Sequence, residues 1–182
     1  MIELSMHILD IVENSTRAGA TMVTIRILED MKLDTLSIEI TDDGEGMDSD
    51  SLKKALDPFY TSKGVRHVGL GLPMLYQATQ RSEGRFSLES TRGKGTRVLA
   101  EFKQSHIDRQ PIGDMGSTIM TLVAGNPDVD FTFTYLTNDS AYTFETKEIR
   151  KEIENVPLNN PEILQFIREN ITEGLEEIGA HD

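Results

Sequence analysis

Two short runs alternate strictly between apolar and polar residues. Val23, Ile25 and Ile27 form the first, and Leu36, Ile38 and Ile40 the second. A period of two puts all the apolar side chains of a strand on one face. The polar stretch Asp30 to Asp34 between the runs supplies turn chemistry, so the pair is predicted as a hairpin. Its second strand runs into Asp42-Asp43-Gly44-Glu45-Gly46, where acids and glycines replace the alternation. The chain already carries a formal net charge of −13. Further carboxylates on so bare a backbone admit two readings: an ordinary acidic turn, or a carboxylate aimed at one particular donor.

The remaining pattern places this hairpin in a layered fold. Ser5 can cap a helix to about Ala18, closed by Gly19, with the apolar stripe Leu4, Ile8, Ile11 and Val12. Asp10 and Asn14 lie one turn apart on another face. A short helix follows from Ser49 to about Leu56, then the mixed loop DPFYTSKGVRHVGLGLPM, then a helix from about Leu72 to Arg81. Strands Arg85 to Thr91 and Thr96 to Phe102 flank the turn Arg92-Gly93-Lys94-Gly95. This order predicts an α/β two-layer sandwich, a sheet covered on one face by helices. The polar stretch SHIDRQPIGDM marks a boundary near Gln104, giving a domain over 1–103 and a small α/β region over 104–182. In the latter a helix is expected from Asp114 to Ala124, a hairpin on Val129 to Tyr135 and Tyr142 to Thr146, and a last helix capped by Asn160 with Pro161 in its first position.

Composition narrows the partners. At 182 residues there is room for one domain, alone or with an appendage. No run approaches membrane-spanning length, the N-terminus lacks the order of a secretory signal, and there is no cysteine, so a soluble cytoplasmic protein is expected. The negative charge argues against nucleic acid and against anionic membrane surfaces. His7, His67, His106 and His181 are scattered without metal-ligand spacing, which sets zinc aside.

Four motifs stand in fixed order: Asp10 to Asn14 on the first helix, DDGEG at 42 to 46, GLGL at 69 to 72 and GKGT at 93 to 96. Each alone is weak, but together, each at the end of the right element, they carry a signal. Over residues 1 to about 103 the arrangement resembles the GHKL ATPases, the group of gyrase, the ninety-kilodalton heat-shock chaperones, histidine kinases and MutL. That likeness implies a Bergerat-type ATP-binding fold with ATP and Mg2+ as cofactors. It assigns the Asp42 carboxylate to the exocyclic amine of adenine, with Gly44 and Gly46 removing side chains where the backbone nears the ligand. Asn14 would ligate magnesium, and the phosphates would meet the amides that open the helix after Gly69, Leu70 and Gly71. Lys63 and Arg66 would either reach over the γ-phosphate or stand as solvated loop charges, and Thr96 would bond near Asp42. Asp43 and Glu45 read as solvated acids. Asp10 stands where hydrolysing members carry a water-orienting acid, one methylene shorter than the usual glutamate.

ENSTRAGAT resembles MutL, whereas PFYTSK leading to GLGLPM resembles the histidine kinases, and the kinase side is better matched. SHIDRQPI at 105 to 112 resembles a phosphoacceptor box, with His106 in the place of the phosphorylated histidine. The whole chain also resembles a small bacterial family of stand-alone ATP-binding proteins carrying HIDR-P-GDM and NPD-VDF segments. These likenesses imply a signalling or regulatory protein that phosphorylates an unidentified protein partner, or an ATP-gated binding switch without phosphotransfer, with a homodimer as one expected assembly.

Overall fold

The computed structural model describes residues 3–57 and 70–180. Among these described residues twelve elements follow in chain order: α1 (Leu4–Arg17), β1 (Met22–Asp30), β2 (Thr35–Asp42), α2 (Ser49–Lys54), α3 (Gly71–Arg81), β3 (Arg85–Thr91), β4 (Gly95–Lys103), α4 (Met115–Gly125), β5 (Asp130–Leu136), β6 (Ala141–Glu145), α5 (Thr146–Ile153) and α6 (Pro161–Glu177). The strands form one sheet in the order β3-β4-β2-β1-β5-β6. All neighbouring pairs are antiparallel except β1 and β5.

The alternation seen in the sequence sets the two faces. Val23, Ile25, Ile27, Leu36, Ile38, Ile40, Val98, Ala100, Phe131 and Phe133 turn inward, where Leu4, Ile8, Ile11 and Val12 of α1 join them in one buried cluster. Each of these side chains other than Ala100 contributes roughly 1.5–3 kcal/mol on leaving water. The opposite face is polar, and there Arg97 spans strands by bonding Glu39 at 2.6 Å and Glu89 at 3.2 Å. The two-layer sandwich is therefore as expected.

Beyond Phe102 the chain continues the same sheet: β5 pairs with the central β1, and β6 extends it. The polar stretch between has a specific task. The expected cap of α1 by Ser5 is corrected, because the helix starts at Leu4 and the Ser5 hydroxyl donates to Glu3 Oε2 at 3.2 Å. The first free amides of α1, those of Leu4 and Ser5, instead donate to the carbonyls of Pro111 and Ile112 at 2.9 and 2.8 Å. One turn later His7 Nε2 meets Gln110 Oε1 at 2.9 Å. Burial pushes the His7 pKa below its ordinary value, which keeps the ring neutral in this contact. Backbone carbonyls from distant residues thus satisfy orphan donors that a local side chain usually serves.

Asp114 caps α4 through Ser117 N at 2.8 Å, and Asn160 caps α6 through Glu162 N at 2.9 Å. Helix α5 was not anticipated: TKEIRKEI is short and mostly charged, and its only apolar residues are Ile149 and Ile153, which pack on the core. Thr146, expected to end a strand, begins this helix and turns its hydroxyl to the Phe131 amide at 2.9 Å.

Candidate nucleotide site

Asp42 ends β2 and is 9% exposed as a residue. Oδ1 accepts the amide of Gly44 at 2.9 Å and that of Thr96 at 3.3 Å. Oδ2 accepts the Ser15 hydroxyl at 2.6 Å. A carboxylate offers about four lone-pair positions. Three donors therefore hold its orientation and leave one acceptor, on Oδ2, for a ligand. Such an acceptor selects a ligand that presents a donor, and it excludes one that presents a carbonyl in the same place.

The glycines around it are needed for close approach. A Cβ on Gly44 would lie 3.0 Å from Asp42 Oδ1 and 3.1 Å from the Ala18 carbonyl. Gly46 combines φ +62° with a carbonyl, that of Thr91, at 2.1 Å from any added Cβ. The loop is then tied on both sides: Glu45 N donates to Ala18 O at 2.9 Å, and Gly93 N donates to Glu45 O at 2.7 Å. Thr96 reaches Asp42 through its backbone amide rather than its hydroxyl, which pairs with Ser90 Oγ at 2.8 Å. Ser90 in turn donates to Gly95 O at 3.0 Å and accepts from Met47 N at 2.8 Å.

Helix α3 begins against α1. A Cβ on Gly71 would stand 3.2 Å from Asp10 Cβ and 3.7 Å from Asn14 Nδ2, so the free amides opening α3 lie beside the Asp10 and Asn14 face. Pro73, inside that first turn, costs no helical hydrogen bond. Leu70 caps this helix without a side-chain bond and is 42% exposed. Asn14 is exposed and Asp10 half-buried. The structure thus brings Asp10, Asn14, Asp42, Gly44, Gly46, Gly71 and Thr96 into one region. Lys63, Arg66 and Gly69 lie outside the described residues, with most of the DPFYTSK segment.

His106 is elsewhere. Asp42 pairs with Thr96 at one end of β4 and Thr35 with Lys103 at the other. Seven residues of strand separate Thr96 from Lys103, about 23 Å at the usual rise. Its Nδ1 accepts the Asp108 amide at 3.1 Å, which leaves the neutral ring's proton on Nε2 and no free lone pair there.

Two residues escaped the sequence reading. Ser15 continues the Leu4, Ile8, Ile11 stripe, and a lone polar residue on an apolar stripe was the available signal. Asp43 is exposed but not merely solvated: it accepts Thr21 N at 2.7 Å, Thr21 Oγ1 at 2.6 Å and Met22 N at 2.8 Å. The Thr21 hydroxyl, first among these, holds the Asp43 carboxyl below the usual carboxylate range. Ser105 does the same for Asp34, and Ser117 for Asp114. A carboxyl depressed in the native state contributes fully above its unfolded pKa, about 3.9, and loses that contribution as pH falls through the native value. Asp43→Asn is expected to lower stability at neutral pH and to flatten the acid limb below about pH 4. Urea denaturation across pH measures both.

The pattern of the family described as "Histidine kinase-, DNA gyrase B-, and HSP90-like ATPase" matches residues 2–106. The chain belongs to this family. Within it, the chain is 41% identical over 78 residues to sporulation kinase E of Bacillus subtilis, covering 43% of this chain and 10% of that protein. It is 26% identical over 99 residues to anti-sigma F factor of Clostridium acetobutylicum, covering 54% of this chain and 63% of that protein. A crystal structure of the N-terminal domain of a DNA repair protein superposes with TM-score 0.51 at 19% identity, over 79% of this chain and 52% of the other, which supports the fold alone. The chain thus spans about a tenth of the kinase and about half of the solved structure. Membership supports ATP binding. Among the described residues no helix is long and apolar enough to cross a membrane.

Proposed function

We propose that this chain binds Mg-ATP and phosphorylates a partner protein in a signalling or regulatory system. The observation that carries the reading is the Asp42 carboxylate, fixed by three protein donors with one acceptor left over, beside Asn14 and the start of α3. That acceptor suits the amine of adenine. The exposed amide of Asn14 suits Mg2+, which binds through one or two protein oxygens together with phosphates and water. When bound, the ion would neutralise phosphate charge. Asp10, beside the start of α3, would orient an attacking group, and its short side chain favours slow hydrolysis in the absence of an acceptor.

A second reading, an ATP-gated switch without transfer, draws support from the capping of α1 by Pro111 and Ile112, and the similarity to anti-sigma F factor suits a protein partner under either reading. Helix α1 carries Asp10 and Asn14, so displacement at the nucleotide would be felt in the segment leading to α4.

Incubation with γ-labelled Mg-ATP and a cell extract separates the two. Transfer of label to a discrete protein, lost with Asn14→Ala, supports the kinase, whereas ATP-dependent retention of an unlabelled protein supports the switch. Intact-mass analysis of the chain alone is expected to show no phosphoryl adduct on His106, and His106→Gln to leave ATP binding unchanged.

A further inference from the structure

Strand β6 is the last of the sheet, and among the described residues nothing pairs with its outer side. The hairpin closes with Thr137 N donating to Ser140 O at 2.9 Å. Hydrogen-bonded and non-bonded pairs alternate in an antiparallel ladder. Tyr142 and Phe144 therefore spend their backbone groups on β5, while those of Ala141 and Thr143 and the amide of Glu145 point outward, the Glu145 carbonyl serving the first turn of α5. The Thr134 and Thr143 hydroxyls, 3.3 Å apart, match a close pair of the non-bonded type. Ala141–Glu145 contains no lysine and no proline, the residues that commonly blunt an exposed edge.

A groove of about 400 Å3 runs beside this edge, lined by Thr143, Phe144, Glu145, Glu148, Ile149 and Asn170. Its floor is apolar, with Phe144 4% exposed and Ile149 packed on the core. Glu145 and Glu148 make one side acidic, and Lys151 offsets only part of this through its 2.6 Å contact to Glu148. Glu169 and Glu173 on α6 add negative charge around Asn170. An extended segment laid along β6 would meet outward amides and carbonyls at every second residue. Alternate side chains would enter the apolar floor, and the intervening ones would face the glutamates.

We propose that the β6 edge and its groove dock an extended, basic segment of a partner polypeptide, added as a further strand. A second copy of this chain is the poorer occupant. It would set glutamates against glutamates and one charge of −13 against another.

The test uses the full chain and a fluorescein-labelled probe, a seven-residue peptide alternating lysine and valine. Saturable one-to-one binding is expected by anisotropy. About tenfold or greater weakening is expected when glutamate replaces lysine in the probe, when alternate probe amides are N-methylated, or when the chain carries Glu145→Gln with Glu148→Lys. Changes on the probe side leave the protein's folding untouched, so they decide the matter even if that variant folds poorly. Three results would each overturn the proposal. They are no saturable binding, undiminished binding of the N-methylated probe (attraction by charge alone), and a concentration-dependent dimer in sedimentation that the probe displaces.

Discussion

Asp42→Asn is expected to weaken Mg-ATP binding by roughly 30- to 150-fold, from about 2–3 kcal/mol, with little loss of fold. The asparagine oxygen can still accept from Gly44 N and Thr96 N, as Asp42 Oδ1 does at 2.9 and 3.3 Å. Its amine then faces Ser15, whose hydroxyl can turn to the Ile11 carbonyl at 3.3 Å and accept in exchange. The protein side is thus nearly repaired. The ligand side is not, because an amine would confront the amine of adenine, donor against donor. At an ATP concentration a hundred times the wild-type dissociation constant, wild type gains about 2.7 kcal/mol of stability and the variant less than about 1 kcal/mol. Alanine is the less informative change, since it strands three buried donors and mixes folding with binding. Thermal melts with and without Mg-ATP measure the difference.

The second large effect is on folding. Gly95 has φ +90°, and a Cβ there would stand 1.9 Å from the Asp42 carbonyl oxygen and 3.0 Å from Asp43 Cα, both parts of a backbone that cannot yield cheaply. Gly95→Ala is therefore expected to cost about 3 kcal/mol or more, the left-handed conformation and a backbone displacement together. Gly93, two residues earlier in the same turn, provides the control. Its φ is +78°, but a Cβ there meets nothing within 4 Å. Gly93→Ala should cost only the conformational part, about 1 kcal/mol. Equal losses in urea denaturation would mean that close approach of the turn to β2 is not what requires a glycine at 95.

The sheet and its helical cover were legible because Val23, Ile25, Ile27 and Leu36, Ile38, Ile40 keep strict alternation and α1 keeps its apolar stripe. Asp42, Gly44, Gly46 and Thr96 were legible as a group through the order of the four motifs and their likeness to the GHKL pattern, since each motif alone is weak. What escaped depended on contacts between distant residues. No local pattern reveals that Pro111 and Ile112 cap α1, since the partners are backbone carbonyls carried there by the fold. Ser15 and Asp43 were hidden for a related reason: each finds its partner across β1, β2 or α1. The position of SHIDRQPI relative to the site was illegible as well. Its spacing is local, while the length of β4 that holds His106 away from Asp42 is a property of the sheet. Helix α5 was missed because only two of its residues are apolar.

The most direct measurement is calorimetric titration of the wild-type chain with Mg-ATP and, separately, Mg-GTP. One-to-one binding of Mg-ATP with Mg-GTP at least about tenfold weaker is expected, because guanine presents a carbonyl where adenine presents its amine to the Asp42 carboxylate. Equal binding of the two nucleotides, or no binding of Mg-ATP, would contradict the assignment of Asp42 to the base.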